Sequence, residues 1–97
     1  MHAQDRFVMN QLSGLADAVL RCDPANEAHM ASHRATLEGW RGLLDSGEVD
    51  ADRTLSHALY QKLEQFFLCL EHELDPAEAR LEVSALHEDT LKRLRAE

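Results

Sequence analysis

Histidine is the residue type in this sequence with the most obvious capacity for chemistry. The chain has six histidines among 97 residues, and His29 and His33 stand four positions apart. On a helix this spacing puts two imidazoles on adjoining turns, where they can share a metal ion. The simpler interpretation is structural: His33 lies near the centre of its helix's apolar stripe and His29 about 60° away, which suits one packed and one solvated imidazole.

Nucleophilic chemistry has less support in the sequence. Cys22 and Cys69 form neither a C-x-x-C pair nor a disulfide framework. His72 follows Cys69 by three positions, but no Gly-rich turn or helix N-terminus lies nearby to lower a thiol pKa. No phosphate loop or nucleophile elbow is present, so we expect no enzyme. The serines of the helical segments are expected to be ordinary helix-surface residues: Ser13, Ser56 and Ser84.

These side chains must be positioned by helices, because the composition disfavours strands. The β-branched residues Val and Ile are scarce, while Leu, Ala, Glu and Arg are abundant. Apolar residues recur at steps of three and four along four segments. The four stripes are Val8, Leu12, Leu15, Val19 and Cys22; Met30, His33, Leu37, Trp40 and Leu44; Leu55, Leu59, Leu63, Phe66 and Leu70; and Ala79, Val83, Leu86, Thr90 and Leu94.

Cap residues divide these segments into four helices with short connections. Asp23-Pro24 predicts the start of the second helix, and Ser46-Gly47 predicts its end. Asp50 or Asp52 predicts the start of the third helix, and the capping box from Asp75 to Glu78 predicts the start of the fourth. Short loops join neighbouring helices, so we expect a single all-α domain over residues 1–97, a four-helix antiparallel up-down bundle.

Charge and hydropathy narrow the possible partners. Ten Lys and Arg against eighteen Asp and Glu give a net charge of −8, which argues against nucleic acid and against an anionic membrane surface. The longest uncharged apolar run, Phe66 to Leu70, is too short to span a bilayer, and the first residues do not form a signal peptide. We therefore expect a cytoplasmic protein with reduced thiols.

The third helix carries more apolar surface than one stripe supplies. Tyr60, Phe67 and Leu74 recur at heptad spacing about 70° from the inner stripe. If exposed, they would form a partner-binding flank for a second copy of the chain or for another protein with a basic surface. Alternatively the neighbouring helices cover them, with Phe67 entering a notch at Gly39 and Gly42 of the second helix.

A further pattern resembles the hemerythrin-like metal-binding bundles. The matching positions are His33-Arg34, then Phe66-x2-Cys69-x3-Glu73, then His87-Glu88. Cys69 takes a position at which that family has a His, so the resemblance implies a metal site rather than an oxygen-binding di-iron centre. His33, Glu73 and His87 are the implied ligands, for Fe or Zn.

Two functions follow from the sequence. The favoured one is a small acidic non-enzymatic adaptor, chaperone or regulator that needs no cofactor. It would act through its third helix on another protein and would also form homo-oligomers. The alternative is a metal-binding or metal-sensing helical bundle.

Overall fold

The computed structural model describes residues 3–46 and 53–96, and 87% of it is helical. The all-α class and the helical bundle are thereby confirmed. None of the described helices is long and apolar enough to cross a membrane. The predicted caps Asp50 and Asp52, and Gly47, lie outside the described residues. The helices are α1 (Ala3–Leu20), α2 (Glu27–Ser46), α3 (Arg53–Glu71) and α4 (Ala77–Ala96).

The predicted apolar stripes form one hydrophobic core. Every helix contributes to it, and α3 contributes most of its large side chains, including Phe66 and Phe67, both fully buried. The pattern works because side chains three and four positions apart share one face of a helix. The other core residues are Val8, Leu12, Ala16, Val19, Leu37, Leu44, Leu59, Tyr60, Leu63 and Val83.

Helices α1 and α4 run antiparallel in a register set by three polar contacts. The pairs are Arg6 with the Leu94 carbonyl oxygen (3.0 Å), Ser13 Oγ with His87 Nδ1 (3.2 Å) and Arg80 with the Leu20 carbonyl oxygen (2.9 Å). Successive pairs are seven residues apart on each helix, which is the interval at which a helix returns to the same face. The two arginines also satisfy carbonyl groups near helix C-termini, which lack partners within their own helices.

Helix α2 is attached differently from the others. In the described part of the chain, α1, α3 and α4 all contact one another, whereas α2 packs on α3 and makes at most minor contact with α1 and α4. The bundle is thus three mutually packed helices with a fourth lying on α3. The complete up-down order of the four helices stays a prediction.

The start of α2 differs from the prediction. Asp23-Pro24 forms a separate turn, in which Asp23 Oδ1 accepts the Ala25 N–H (3.0 Å). The helix cap is Asn26, whose Oδ1 accepts the His29 N–H at 3.1 Å. Asn is as strong a cap as Asp, and this Asn lies closer to the apolar repeat that begins at Met30, so the helix begins later.

The turn between α3 and α4 contains one confirmed cap and one unfavourable residue. Asp75 Oδ1 accepts the Ala77 N–H at 3.0 Å, as the cap prediction requires. Before it, the N–H groups of Glu73 and Leu74 donate to the carbonyl oxygens of Leu70 (3.4 Å) and Cys69 (2.9 Å), which is a Schellman motif. Glu73 occupies the left-handed position of this motif, with φ of 56°, where glycine is usual.

Candidate functional site

The predicted flank of α3 is mostly covered within the monomer. Phe67 is fully buried and Tyr60 is 8% exposed, so the expectation of an exposed flank is wrong for both residues. Only Leu74 is exposed, at 60%. The reason is that α2 lies over this flank, so the alternative of cover by a neighbouring helix holds for these two residues. The glycine notch plays no part, because a Cβ at Gly39 or Gly42 would meet open space.

Phe67 is enclosed by two side chains of α2. The His33 ring meets it edge-on with ring centroids 6.4 Å apart, and the Arg34 guanidinium lies 4.9 Å from its centroid. Both arrangements are favourable for the charge distribution of an aromatic ring. Burial lowers the pKa of His33, and the nearby His29 lowers it further.

Arg34 also joins α2 to two carboxylates of α3. Its Nη1 lies 2.6 Å from Glu64 Oε1, and its Nε and Nη2 both bind Glu71, with Nε 3.2 Å from Oε2. The hydrogen bond to Glu71 raises the pKa of Arg34, so the guanidinium stays charged. The other oxygen of Glu64, Oε2, is buried without a hydrogen-bond partner in the described structure.

A groove of about 520 Å³ lies where the start of α2 meets the end of α3, and we call it the acidic groove. Met30 and Leu70 are half-buried and form its base, whereas the other lining residues are exposed. No lysine or arginine is among the lining residues that the structure describes. The full lining is Pro24, Ala25, Glu27, Met30, Leu70, Glu71 and Glu73.

The three glutamates of the acidic groove differ in how their negative charges are stabilised. Glu71 is held by Arg34, and Glu27 stands in the first turn of α2, where the helix dipole favours negative charge. Glu73 has neither benefit. It follows the C-terminal end of α3, where the dipole disfavours a carboxylate, and its backbone is in the left-handed region. The exposed Leu74 comes next in the chain.

A second groove, of about 600 Å³, runs between α2 and α3 on the other side of Arg34. Leu44, Tyr60 and Leu68 supply its apolar surface, and Leu68 is 39% exposed. Its charged lining has both signs, because Arg41 and Asp45 of α2 face Glu64 of α3 across it. The described lining of this groove thus carries both positive and negative charges, whereas that of the acidic groove carries only negative ones.

The predicted metal ligands do not meet. His33 packs on Phe67, His87 binds Ser13 on the α1–α4 side, and Glu73 lies in the turn after α3 rather than on its inner face. Over residues 3–46 and 53–96, no three His, Cys, Asp or Glu side chains are grouped so that they could hold a metal ion.

Two of the three serines are interior residues, contrary to the prediction. Ser13 is 5% exposed and Ser56 is 1% exposed, while Ser84 is exposed as expected. The Ser13–His87 pair has the atom types of a nucleophile and a base, but a substrate cannot reach a hydroxyl buried between two helices. The signal that could have placed Ser13 inside is its spacing from Met9 and Ala16, four and three positions away on the same helix and both buried. Its partner on α4 depends on the register between the two helices.

Cys22 contributes to packing below the acidic groove. Its thiol lies 3.9 Å from the sulfur of Met30, and burial raises its pKa, with the nearby Arg80 acting in the opposite direction. A thiol with a raised pKa is a poor nucleophile at neutral pH. Both cysteines are free thiols.

Comparisons with known proteins found no matching family model, curated protein or solved structure.

Proposed function

We propose that this protein is a small, acidic, non-enzymatic interaction module, an adaptor, chaperone or regulator, that binds a basic segment of another protein in the acidic groove. The observation that carries the proposal is the groove itself. Its half-buried base of Met30 and Leu70 is bordered by three glutamates, and Leu74 is exposed beside it. An apolar centre with a polar border is the usual anatomy of a protein contact site.

The charge around the groove favours a basic partner. The two Asp-Pro turns lie at the same end of the bundle, since Arg80 of α4 bonds to the last residue of α1. Three arginines described near this end are already engaged: Arg34 with Glu71, Arg80 with the Leu20 carbonyl oxygen and Arg21 with Asp17. A surface with this excess of negative charge attracts cationic segments and speeds their association. The acidic residues of this end are Asp23, Glu27, Glu71, Glu73, Asp75 and Glu78.

The stability of the fold does not explain why residue 73 is a glutamate. Carboxylates at the starts of α2 and α4 stabilise those helices through the dipole, so they need no partner. Glu73 is locally unfavourable in both charge position and backbone conformation. Residues that break local rules are concentrated at functional sites. A carboxylate aimed at a basic partner accounts for a glutamate at a position suited to glycine.

The partner that we propose for this groove is a different chain. Two copies meeting through their acidic grooves would bring like charges together, which is unfavourable. Self-association of the chain stays a prediction, to be measured by light scattering. The metal-binding alternative also stays a prediction, and no observation in the described residues favours it.

The proposal is tested by nuclear magnetic resonance with an amphipathic helical peptide of leucine and lysine as the probe. We expect the largest shift changes at Glu27, Met30, Leu70 and Leu74, and weaker binding as salt is raised. The matched control is the same peptide with glutamate in place of lysine, which should not bind. Shift changes centred elsewhere, equal binding of both peptides, or no binding at millimolar peptide would contradict the proposal.

A further inference from the structure

Helix α2 covers α3 without being part of the three-helix unit. Among the described residues, α1, α3 and α4 contact one another pairwise, and the α1–α4 register is fixed by its own three polar contacts. None of these three polar contacts involves a residue of α2. Most of its helix-to-helix contact is with α3. Two of its side chains, Leu37 and Leu44, are also buried in the core that all four helices share, so opening of α2 would expose part of that core as well.

The surface of α3 that lies beneath α2 is apolar. Phe67 is shielded from water by His33 and Arg34, and Tyr60 lies beside the same helix pair. With α2 in place, these two aromatic side chains are almost wholly buried. With α2 displaced, they would form an exposed aromatic flank along α3, of the kind that marks contact sites.

The polar part of the α2–α3 contact is well suited to release. The side chains of Arg34, Glu64 and Glu71 are 23%, 22% and 29% exposed, so their charges are already partly hydrated. Partly exposed ion pairs contribute little net stability, because water replaces the partner when they separate. Glu64 Oε2, which has no hydrogen-bond partner among the described residues when α2 is in place, would gain hydrogen bonds to water on opening.

Helix α2 is also intrinsically weak in its second half. Gly39 and Gly42 lie within three residues of each other, and glycine is the least favourable helix residue after proline. Neither glycine is required by packing, since a Cβ would meet open space at both. Their presence lowers the stability of α2 without any compensating contact.

We infer that α2 is a detachable cover: it opens as a unit while α1, α3 and α4 stay folded, and its opening uncovers Tyr60 and Phe67. This inference rests on the helix contacts and not on the acidic groove. The two are nevertheless linked, because the groove is built from α2 and α3 together. A ligand in the acidic groove therefore holds α2 closed, and opening of α2 dismantles the groove.

Hydrogen exchange of the native protein tests this inference without any partner. Under conditions in which exchange reports opening equilibria, we expect the α2 amides to exchange at least tenfold faster than the best-protected amides of α1, α3 and α4. Arg34→Met should speed exchange of α2 by about two- to fivefold, the effect expected for loss of a partly exposed ion pair, and leave α1 and α4 unchanged. The matched control is Arg41→Met, because Arg41 forms an exposed pair with Asp45 of its own helix.

A second variant tests the inference without altering the α2–α3 contact. Gly39→Ala with Gly42→Ala should slow exchange of α2 alone, since it strengthens that helix and touches nothing else. Equal protection of all four helices in the wild type would overturn the inference. So would an Arg34→Met or double-alanine variant that changes every helix to the same extent, because that result would show one cooperative unit.

Discussion

Replacing Glu73 by glycine is expected to stabilise the protein and to weaken its proposed binding site. The left-handed conformation costs an L-residue about 1–2 kcal/mol, and glycine avoids that cost. Glycine also loses more backbone freedom on folding, which offsets about 0.5–1 kcal/mol of the gain. Removing a carboxylate from the C-terminal end of α3 adds a small favourable contribution. The expected net gain is about 0.5–1 kcal/mol, or roughly 3–6 °C in Tm for a chain of this size.

Urea denaturation followed by circular dichroism measures this gain. The control is Glu88→Gly, the same substitution at a 68% exposed position inside α4, which should destabilise by about 0.5–1 kcal/mol. Opposite signs for the two variants would support the reasoning. If Glu73→Gly destabilises the protein, the left-handed turn is not strained by glutamate, and the main structural argument for a role of Glu73 is refuted.

Further predictions concern α2, the core and metal. Gly39→Ala and Gly42→Ala should each stabilise by about 1 kcal/mol in denaturant titrations, and destabilisation would show that the open space is filled. Phe67→Ala should destabilise by about 3–5 kcal/mol in the same assay, whereas a change near zero would mean that α2 does not cover it. Burial lowers the pKa of His33 in the folded protein below its unfolded value of 6.5, so the unfolded chain binds the proton at a higher pH than the folded chain does. The free energy of unfolding should therefore fall as pH drops below about 6.5. The His33→Gln variant should show a smaller fall. Protein purified without an affinity tag should contain well under one equivalent of Fe, Zn or Cu by elemental analysis; stoichiometric metal lost in His33→Ala and His87→Ala would favour the metal-binding alternative.

The core could be predicted from the sequence because it depends on periodicity within each helix. Leu12, Leu37, Leu63 and Val83 were assigned to inner faces by their spacing, and all four are fully buried. The sequence also predicted correctly that α3 is apolar over more of its surface than one stripe supplies. What covers Phe67 could not be read, because periodicity along one helix contains no information about which neighbouring helix lies on a second face.

The candidate site was less predictable for the same reason. The ion pairs of Arg34 join residues about thirty or more positions apart, and only the α2–α3 register brings them together. The start of α2 was misplaced because two good cap residues, Asp23 and Asn26, compete within one turn. The left-handed Glu73 was missed because sequence rules expect glycine or asparagine after a helix, so a glutamate there gives no signal.

The most direct test of the acidic groove is a comparison of two charge-reversal variants by calorimetric titration with the leucine-lysine peptide. Glu27→Lys with Glu73→Lys reverses two charges of the groove, and Glu38→Lys with Glu88→Lys reverses two exposed charges outside it. Both change the net charge equally, so a non-specific attraction would weaken equally in both. The proposal predicts a loss of affinity of about tenfold or more for the groove variant at low salt and little loss for the control. Equal losses in the two variants, with both shown to be folded by circular dichroism, would contradict it.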